Sequence, residues 1–174
     1  MITKATLEDI SELEILINSA YRGEFSKKGW TTEADILEGI RIDKKELTDI
    51  ILDSKSTIFK YQENDQILGC VLLVAKENKL YLGLLCVNPE LQNSGIGKKI
   101  LQFANDYAIQ NCFPKIVMTV ILDRVELISW YNRHGYVDSG KREPFPANHV
   151  ADIISGGVLE FVVLEKKIAT TLKI

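Results

Sequence analysis

The stretch VNPELQNSGIGKKIL, residues 87–101, joins an apolar, strand-like run to a segment with helical periodicity. A turn with unpaired N–H groups that leads into a helix N-terminus forms an anion site, because its amides and the positive end of the helix dipole point at one place. Gly95 and Gly97 lie in this turn, and glycine lets the backbone approach a phosphate closely and adopt positive φ without strain. The alternative is that both glycines only shape a tight connection. The stretch therefore predicts a strand–turn–helix unit that binds phosphate.

Two common phosphate-binding signatures do not fit this turn. A P-loop has a glycine five positions before Gly97 and a serine or threonine two positions after it, but the chain has Gln92 and Lys99 there. The dinucleotide pattern GxGxxG begins with Gly95 and Gly97, yet Ile100 occupies the third glycine position. That pattern also belongs early in a βαβ unit, whereas three hairpin-linked strand patterns precede this turn. The turn therefore needs a different comparison.

The rest of the chain changes between helical and strand periodicity. The predicted helices cover residues 10–21, 43–54, 97–111 and 125–134, with a further helix opening at Thr31 or Thr32, and the predicted strands cover residues 1–5, 56–62, 66–75, 79–87, 115–121 and 157–165. Segments 22–35 and 140–157 are predicted to be irregular. No repeat or linker interrupts the pattern, so we expect one mixed α/β domain over residues 1–174.

The composition is that of an ordinary globular domain. Hydrophobic residues make up 46% of the chain and charged residues 26%, which argues against disorder. A formal net charge of -3 argues against a mainly electrostatic nucleic-acid binder, and no apolar run approaches the roughly 18–20 residues that span a bilayer. The N-terminus has no signal-peptide pattern, and the three separated cysteines form no CxxC pair. We therefore expect free thiols, a cytoplasmic location, and no metal, nucleic-acid or membrane partner.

Two motifs together resemble the GCN5-related N-acetyltransferase (GNAT) superfamily. Gln92-x-x-Gly95-x-Gly97 follows an apolar strand that ends in CVNPEL, as the acyl-CoA pyrophosphate loop of that family does. SWYNRHGY, residues 129–136, is similar to the family's later helix, in which an aromatic–tyrosine pair precedes a glycine and another aromatic. The resemblance is strongest over residues 79–137. It implies an α/β (α+β) fold with a central mixed, mostly antiparallel sheet flanked by helices, and acetyl-CoA as the co-substrate.

The resemblance assigns the coenzyme contacts residue by residue. In the family the pantetheine arm inserts between the central strand and its neighbour, so the Val87 backbone would bind the pantetheine. The Leu85 amide would polarise the thioester carbonyl as a backbone oxyanion donor. Lys98 and Lys99 would add positive charge near the phosphates, or would be ordinary solvated lysines. The amides that would cradle the pyrophosphate belong to Gln92, Asn93, Ser94, Gly95, Ile96, Gly97 and Lys98.

Tyr131 matches the family tyrosine that protonates the departing thiolate. A neutral phenol is a suitable general acid for a leaving thiol whose pKa is about 8.5. The alternative role is packing, because Leu127, Ile128 and Tyr131 share a helical face. Seven residues before the tyrosine, where the family often has an asparagine that holds CoA, this chain has Arg124. Arg124 would contact the coenzyme in a different way or lie on the surface.

The general base is not evident from the sequence. Some relatives use a glutamate early in the central strand, and this chain has Tyr81 at that position. A base matters because an alkylammonium with a pKa near 10.4 is neutral only about once in 2,000 molecules at pH 7. The candidates are Glu24, Glu33, Asp35, His149 and a water chain. Cys86 is expected to pack within its strand, with covalent catalysis as the alternative.

The expected function is direct transfer of an acetyl group from acetyl-CoA to an amine in a ternary complex. The family's acceptor cleft maps to segments 22–35 and 141–157, whose aromatic residues and carboxylates would suit a small cationic amine. A protein amine is the other acceptor class, and a homodimer is left open. The alternative from a different class is a CoA-binding sensor or interaction module with a degenerate active site, which the missing base favours.

Overall fold

The computed structural model describes residues 1–169, which form one domain around a single seven-stranded sheet. The strands are β1 (Ile2–Lys4), β2 (Ser56–Glu63), β3 (Gln66–Lys76), β4 (Lys79–Val87), β5 (Lys115–Ile121), β6 (Val137–Pro144) and β7 (Glu160–Lys167). The helices are α1 (Ile10–Tyr21), α2 (Gly23–Ser26), α3 (Lys44–Leu52), α4 (Ile96–Gln110) and α5 (Val125–Arg133), with 3-10 turns at Leu7–Asp9, Pro89–Leu91 and Ala147–Asp152. The order in the sheet is β1-β2-β3-β4-β5-β7-β6, and every pair is antiparallel except β4 with β5.

Local sequence features explain the first half of the sheet and the helices around it. β2 and β3 are joined by a two-residue turn at Asn64 and Asp65, whose φ values are 48° and 60°. Such a turn matches the right-handed twist of the strands, and these two residue types tolerate positive φ. The N-terminus of α3 is capped by Asp43, whose side chain accepts a hydrogen bond from the Glu46 amide at 2.8 Å. These elements agree with the predicted ones.

The parallel pairing between β4 and β5 ends early. Leu80 pairs with Ile116 and Tyr81 pairs with Val117, and the rest of β4 is paired with β3 alone. A register shift in the β3–β4 ladder leaves two residues of β4, Leu84 and Leu85, opposite one residue of β3. This bulge bends β4 away from β5. A gap therefore opens in the sheet between the C-terminal half of β4 and the strand that would be its neighbour.

Both faces of the sheet are covered. On β3, Val71 and Leu73 belong to one hydrophobic cluster, whereas Cys70 and Leu72 belong to a second one. Because successive side chains of a strand point to opposite faces, the two clusters lie on opposite sides of the sheet. The first cluster contains the buried residues of α4 and Tyr131 of α5, and the second contains those of α1 and α3. The sheet is therefore the middle layer of the domain.

Three expectations from the sequence are wrong. Segment 22–35 is not irregular throughout, because residues 23–26 form the short helix α2. No helix opens at Thr31 or Thr32, because residues 31–41 form turns and one isolated bridge, between Leu37 and Ile153. Segment 140–157 is not irregular throughout, because its first residues belong to β6, which pairs with β7. β6 lies at the edge of the sheet and is almost wholly exposed. A strand without a buried face has no apolar alternation, so the sequence pattern did not indicate it.

The structure also bears on the expectations for the cysteines, for membrane-spanning helices and for metal binding. The three cysteines are free thiols, with Cys70 and Cys86 buried and Cys112 exposed. Across residues 1–169, none of the helices combines the length and apolarity required to span a bilayer. In the same range no cluster of three or more His, Cys, Asp or Glu side chains could hold a metal ion. The domain boundary expected over residues 1–174 stays a prediction, because residues 170–174 lie outside the described ones.

Gly69 on β3 allows β4 and α4 to approach closely, and its substitution should be destabilising. A Cβ at this position would lie 2.9 Å from the Cys86 carbonyl oxygen and 2.9 Å from Ile100 Cδ1. We expect Gly69→Ala to lower the free energy of unfolding by about 1–3 kcal/mol, because backbone and packed side chain must both shift. Gly97→Ala is the control, since its Cβ would meet the Trp130 ring at 3.5 Å, an ordinary contact. Urea denaturation of both variants tests this, and equal stability would contradict it.

Candidate active site

The glycine turn presents unpaired amides. Asn93 and Gly95 have φ values of 67° and 86°, which direct the chain from the end of β4 into α4. Gly95 immediately precedes the helix, and its carbonyl oxygen accepts a hydrogen bond from the Lys99 amide at 3.1 Å. The amides of residues 96–98 precede this first helical hydrogen bond and have no acceptor in the described part of the chain. Together with the helix dipole, they would form the anion site that the sequence predicts.

Gln92 connects the turn to segment 22–35. Its Oε1 accepts a hydrogen bond from the Trp30 amide at 2.9 Å, and its Nε2 donates to the Val87 carbonyl oxygen at 3.3 Å. A Cβ at Gly29 would lie 2.2 Å from Gln92 Oε1, so the segment comes this close because residue 29 is glycine. The Gln92 side chain therefore positions a wall beside the turn, and the predicted phosphate contact of Gln92 would come from its backbone amide.

A cavity of about 330 Å³, which we call the turn cavity, opens beside the glycine turn. It is lined by Trp30, Thr31, Leu85, Cys86, Val87, Gln92, Asn93, Gly95, Gly97, Lys98, Leu127, Trp130, Tyr131 and His134. The cavity brings together most of the residues predicted for the coenzyme. Four predicted residues do not line it: Ser94, Arg124, Ile96, whose side chain is buried in the first core cluster, and Lys99, whose Nζ donates to the Tyr61 hydroxyl at 3.3 Å.

Two tryptophans, for which the sequence predicted no coenzyme contact, form a wall of the turn cavity. The ring centroids of Trp30 and Trp130 lie 6.0 Å apart. Trp30 belongs to the segment expected to contact the acceptor, but the structure places it at the turn cavity instead. The sequence motif around Tyr131 includes Trp130, so it could have indicated that residue. No local motif indicates Trp30, because its position depends on a hydrogen bond to Gln92, 62 residues away.

A second cavity, of about 220 Å³, lies in the gap between β4 and β5, and we call it the arginine cavity. It is lined by Tyr21, Arg22, Glu33, Leu37, Arg41, Tyr81, Leu82, Gly83, Leu84, Leu85, Met118, Thr119, Val120, Ile121, Arg124, Leu127, Tyr131, Phe145, Pro146, His149 and Phe161. Residues of both predicted acceptor segments, 22–35 and 141–157, contribute to it. Leu85, Leu127 and Tyr131 line both cavities, so the two cavities meet at these residues.

Tyr131 lies between the two cavities. Its side chain is buried, and its hydroxyl has no hydrogen-bond partner within residues 1–169. Burial raises the pKa of Tyr131, and the positive charge of Arg124 opposes the rise without cancelling it. The phenol is therefore protonated at neutral pH and is a proton donor next to both cavities. A general acid needs this protonation state.

The bulge of β4 is held from the α1 side. The Tyr21 hydroxyl donates a hydrogen bond to the Leu85 carbonyl oxygen at 3.0 Å. Leu84, the preceding residue, has a buried side chain and a φ of 48°. A left-handed conformation costs a residue with a Cβ about 1–2 kcal/mol, so surrounding contacts must maintain it. The orientation of the Leu85 peptide is therefore fixed by packing and by Tyr21.

Three charged side chains form a buried network in the arginine cavity. Glu33 Oε2 accepts a hydrogen bond from Arg22 Nε at 3.0 Å, and Glu33 Oε1 accepts one from Arg124 Nη1 at 3.2 Å. Arg124 Nη2 also donates to Thr31 Oγ1 at 2.7 Å. The structure thus places Arg124, which is buried, at the arginine cavity and not on the surface, and its contact with the coenzyme stays a prediction. Glu33 and Arg124 are 91 residues apart, so the sequence did not reveal the pair.

The candidate bases differ in position. Glu24 and Asp35 are exposed, each forms an ion pair with a lysine, and neither lines a cavity. Glu33 lines the arginine cavity, but both of its oxygens already accept from guanidinium groups. His149 lines the same cavity, and its Nδ1 lies 3.0 Å from Asp152 Oδ2. Among these four residues, His149 is the best placed base. Its Nε2 has no partner in the described part of the chain, and the Asp152 carboxylate can orient its ring.

Two further residues singled out in the sequence have structural surroundings. Tyr81, at the position where some relatives have a glutamate, lines the arginine cavity with its hydroxyl 3.4 Å from Thr119 Oγ1. Cys86 is buried in the second core cluster, and its Sγ lies 3.6 Å from Cys70 Sγ. These contacts agree with the packing role expected for Cys86.

A family model matches the chain, and known structures share its fold. A family model described as an acetyltransferase (GNAT) domain matches residues 23–152. The structure of the ribosomal-protein-S18-alanine N-acetyltransferase from Escherichia coli is similar with a TM-score of 0.74 at 11% identity, over 99% of this chain and 96% of that one. An N-acetyltransferase from Staphylococcus aureus Mu50 is similar with a TM-score of 0.72 at 16% identity, over 97% of each chain.

A third similar structure contains the coenzyme. It is that of a candidate streptothricin acetyltransferase from Bacillus anthracis str. Ames in complex with acetyl coenzyme A, with a TM-score of 0.58 at 18% identity, over 69% of this chain and 66% of that one. At these identities the three likenesses show the fold. The family match spans most of the chain and agrees with the two sequence motifs. The chain therefore belongs to the GNAT acetyltransferase family and is an acetyl-CoA-dependent acyltransferase.

Proposed function

We propose that this chain is an N-acetyltransferase that transfers the acetyl group of acetyl-CoA directly to an amine in a ternary complex. The observation that carries the proposal is that the turn cavity and the arginine cavity meet at Leu85 and Tyr131. Direct transfer requires both substrates at one point, with the reacting atoms held close together. Two cavities that share a backbone segment and a buried proton donor meet this requirement.

The turn cavity suits the coenzyme. The unpaired amides of residues 96–98 and the dipole of α4 would hold the pyrophosphate, and Gly95 and Gly97 leave room for it. The Val87 backbone would bind the pantetheine arm, and the Leu85 amide would stabilise negative charge on the thioester oxygen. When bound there, acetyl-CoA supplies the activated acetyl group.

Two side chains would move the protons. His149, oriented by Asp152, would accept the proton that the amine must lose, and Tyr131 would donate one to the departing sulfur. Arg22 and Arg124, held by Glu33, would support the wall of the acceptor side. The cytoplasmic location and the homodimer stay predictions.

An assay of CoA release with a panel of amines tests the proposed function. The panel should include alkylamines, aromatic amines, amino acids and peptides with free N-termini, each with mass detection of the acetylated product. We expect product with at least one class and none without the protein. Tight binding of acetyl-CoA with no turnover on any amine would instead favour a CoA-binding module.

Gly97→Asp should weaken acetyl-CoA binding by about tenfold or more, because it places a carboxylate in the first turn of α4 next to the expected pyrophosphate. Gly97→Asn is the matched control, since it adds nearly the same volume without the charge. The loss should therefore be clearly smaller for Gly97→Asn. Isothermal titration calorimetry on both folded variants measures the difference. Wild-type affinity in Gly97→Asp would mean that the pyrophosphate binds elsewhere.

Tyr131→Phe should lower kcat by about tenfold or more, because the variant loses the proton donor and keeps the ring. Affinity for acetyl-CoA and the melting temperature should change little. Tyr136→Phe is the control, since Tyr136 is also buried and its ring centroid lies 5.7 Å from that of Tyr131, but it lines neither cavity. Because the pKa of Tyr131 is raised, ionisation of this phenol should not lower the wild-type kcat up to about pH 10. An unchanged kcat in Tyr131→Phe would mean that Tyr131 has only a packing role.

His149→Gln should slow acetylation of an alkylamine by about tenfold or more, because general-base catalysis contributes at least that much. The loss should be much smaller for an aromatic amine, which is already neutral at pH 7 and needs no base before attack. Asn148→Ala, at the exposed neighbouring position, is the control. The measurement is kcat/KM for both amines in each variant. Equal losses for the two amines would exclude His149 as the base.

A further inference from the structure

Arg41 brings a third guanidinium group to the arginine cavity. Its Cζ lies 5.4 Å from the ring centroid of Tyr21, which lines the same cavity. Its backbone is anchored, because the Arg41 amide donates a hydrogen bond to Asn18 Oδ1 at 2.7 Å. Within residues 1–169 no carboxylate lies within ion-pair distance of Arg41. The side chain is therefore held at the cavity by its backbone and by an aromatic ring, and its charge is not neutralised there.

The charges that line the cavity do not balance. Arg22, Arg41 and Arg124 contribute three positive charges, and Glu33 contributes one negative charge. Glu126, whose Oε1 lies 3.8 Å from Arg124 Nε, adds a second negative charge from outside the lining, which leaves one positive charge with His149 counted as neutral. Glu33 is already shared between Arg22 and Arg124, at 3.0 Å and 3.2 Å. The charge of Arg41, which is partly exposed, is therefore the one left without a counter-charge in the described part of the chain, and it attracts an anionic group to this cavity.

The remaining walls of the cavity are largely apolar. Leu82, Met118, Phe145 and Phe161 line it, and the rings of Phe145 and Phe161 have centroids 5.6 Å apart. Such walls suit an alkyl or aryl group. A guanidinium offers two parallel N–H donors that match a carboxylate. The cavity thus combines an apolar surface with a cation that prefers a carboxylate partner.

We infer that the acceptor amine carries a carboxylate, as an apolar α-amino acid does, and that Arg41 binds this carboxylate. The inference rests on the proposed N-acetyltransferase function and names the class of its acceptor. It replaces the small cationic amine expected from the sequence, because Glu24 and Asp35 lie outside the cavity and Glu33 is neutralised by two arginines. Nearby positive charge also disfavours the ammonium form of a substrate, which assists loss of the amine proton.

The transfer itself leaves the carboxylate unchanged. The acetyl carbon forms a bond to the amine nitrogen and loses its bond to the CoA sulfur. The proton that leaves the nitrogen goes to the base, and the sulfur departs with its electron pair and takes a proton from the acid. The products are an N-acetylated carboxylate and free CoA, so no oxidant, reductant or metal is required.

Matched acceptors that differ only in the carboxylate test the inference. Leucine, leucinamide and isopentylamine share one apolar body and one amine, and the same comparison can be made with phenylalanine, phenylalaninamide and phenethylamine. We expect kcat/KM to be about tenfold or more higher for the carboxylate member of at least one series. Equal or higher kcat/KM for the amide and the decarboxylated amine in both series would overturn the inference.

Variants of Arg41 test the residue. Arg41→Gln should reduce the preference for leucine over leucinamide to near one, and Arg41→Lys should retain part of it, because a lysine keeps the charge without the paired donors. Arg133→Gln is the matched control, since it removes one positive charge from an exposed position that lines neither cavity. Thermal melts of all three variants verify folding. A preference unchanged in Arg41→Gln would overturn the role of Arg41.

A binding measurement separates this inference from the proposed function. 4-Methylpentanoate has the apolar body and carboxylate of leucine but no amine, so it can bind and cannot react. Calorimetry with the CoA complex should show binding that Arg41→Gln weakens by about tenfold. If no amine is acetylated but this binding is present, the carboxylate site stands and the proposed function fails. If amines are acetylated but 4-methylpentanoate does not bind, the inference fails and the proposed function stands.

Discussion

Only Leu80 and Tyr81 of β4 pair with β5, and the short extent of this parallel ladder is the constraint on which the site depends. Beyond these residues, β4 is paired on one side alone and carries a bulge with Leu84 in a left-handed conformation. If the ladder continued, it would close the gap that forms the arginine cavity. The N–H and C=O groups of an unpaired strand lack hydrogen-bond partners, and an extended ligand can provide them by adding to the strand edge. The gap therefore creates both the space and the hydrogen-bonding surface of the site.

One segment, residues 22–41, whose only regular element is the short helix α2, builds walls of both cavities and is held by residues distant in sequence. Gln92 accepts a hydrogen bond from the Trp30 amide, and Arg124 binds Thr31 and Glu33. The Arg22–Glu33–Arg124 network is buried, so removal of Glu33 would leave guanidinium charge uncompensated and cost about 3–5 kcal/mol. Since Arg124 is also the residue that precedes α5, the network links the segment to the helix that carries Tyr131. The proposed acceptor side and the proposed proton donor are therefore positioned together.

Much of the fold could be predicted because it is encoded locally. The periodicity of α1, α3, α4 and α5, the two-residue turn between β2 and β3, and the glycine turn before α4 all appear in short stretches of sequence. The same is true of the expected coenzyme contacts, because six of them lie on consecutive residues from Asn93 to Lys98. β6 was missed, since its residues have no buried face and its pairing with β7 depends on a strand later in the chain.

By itself, the sequence determined the family and the strand–turn–helix unit, and it predicted the anion site and Tyr131 as the proton donor, because each rests on residues close together in the chain. Only the tertiary structure decided which side chains share a cavity. Trp30 lies beside the glycine turn through Gln92, and Arg124 joins Glu33 across 91 residues. The charge of the site was also decided by the tertiary structure. The carboxylates of segment 22–35 suggested a cation site, but Glu24 and Asp35 are exposed in the fold. Glu33 is neutralised by arginines, and Arg41 faces the cavity. Burial and pairing set the electrostatics of a site, and both depend on contacts between residues that are distant in sequence.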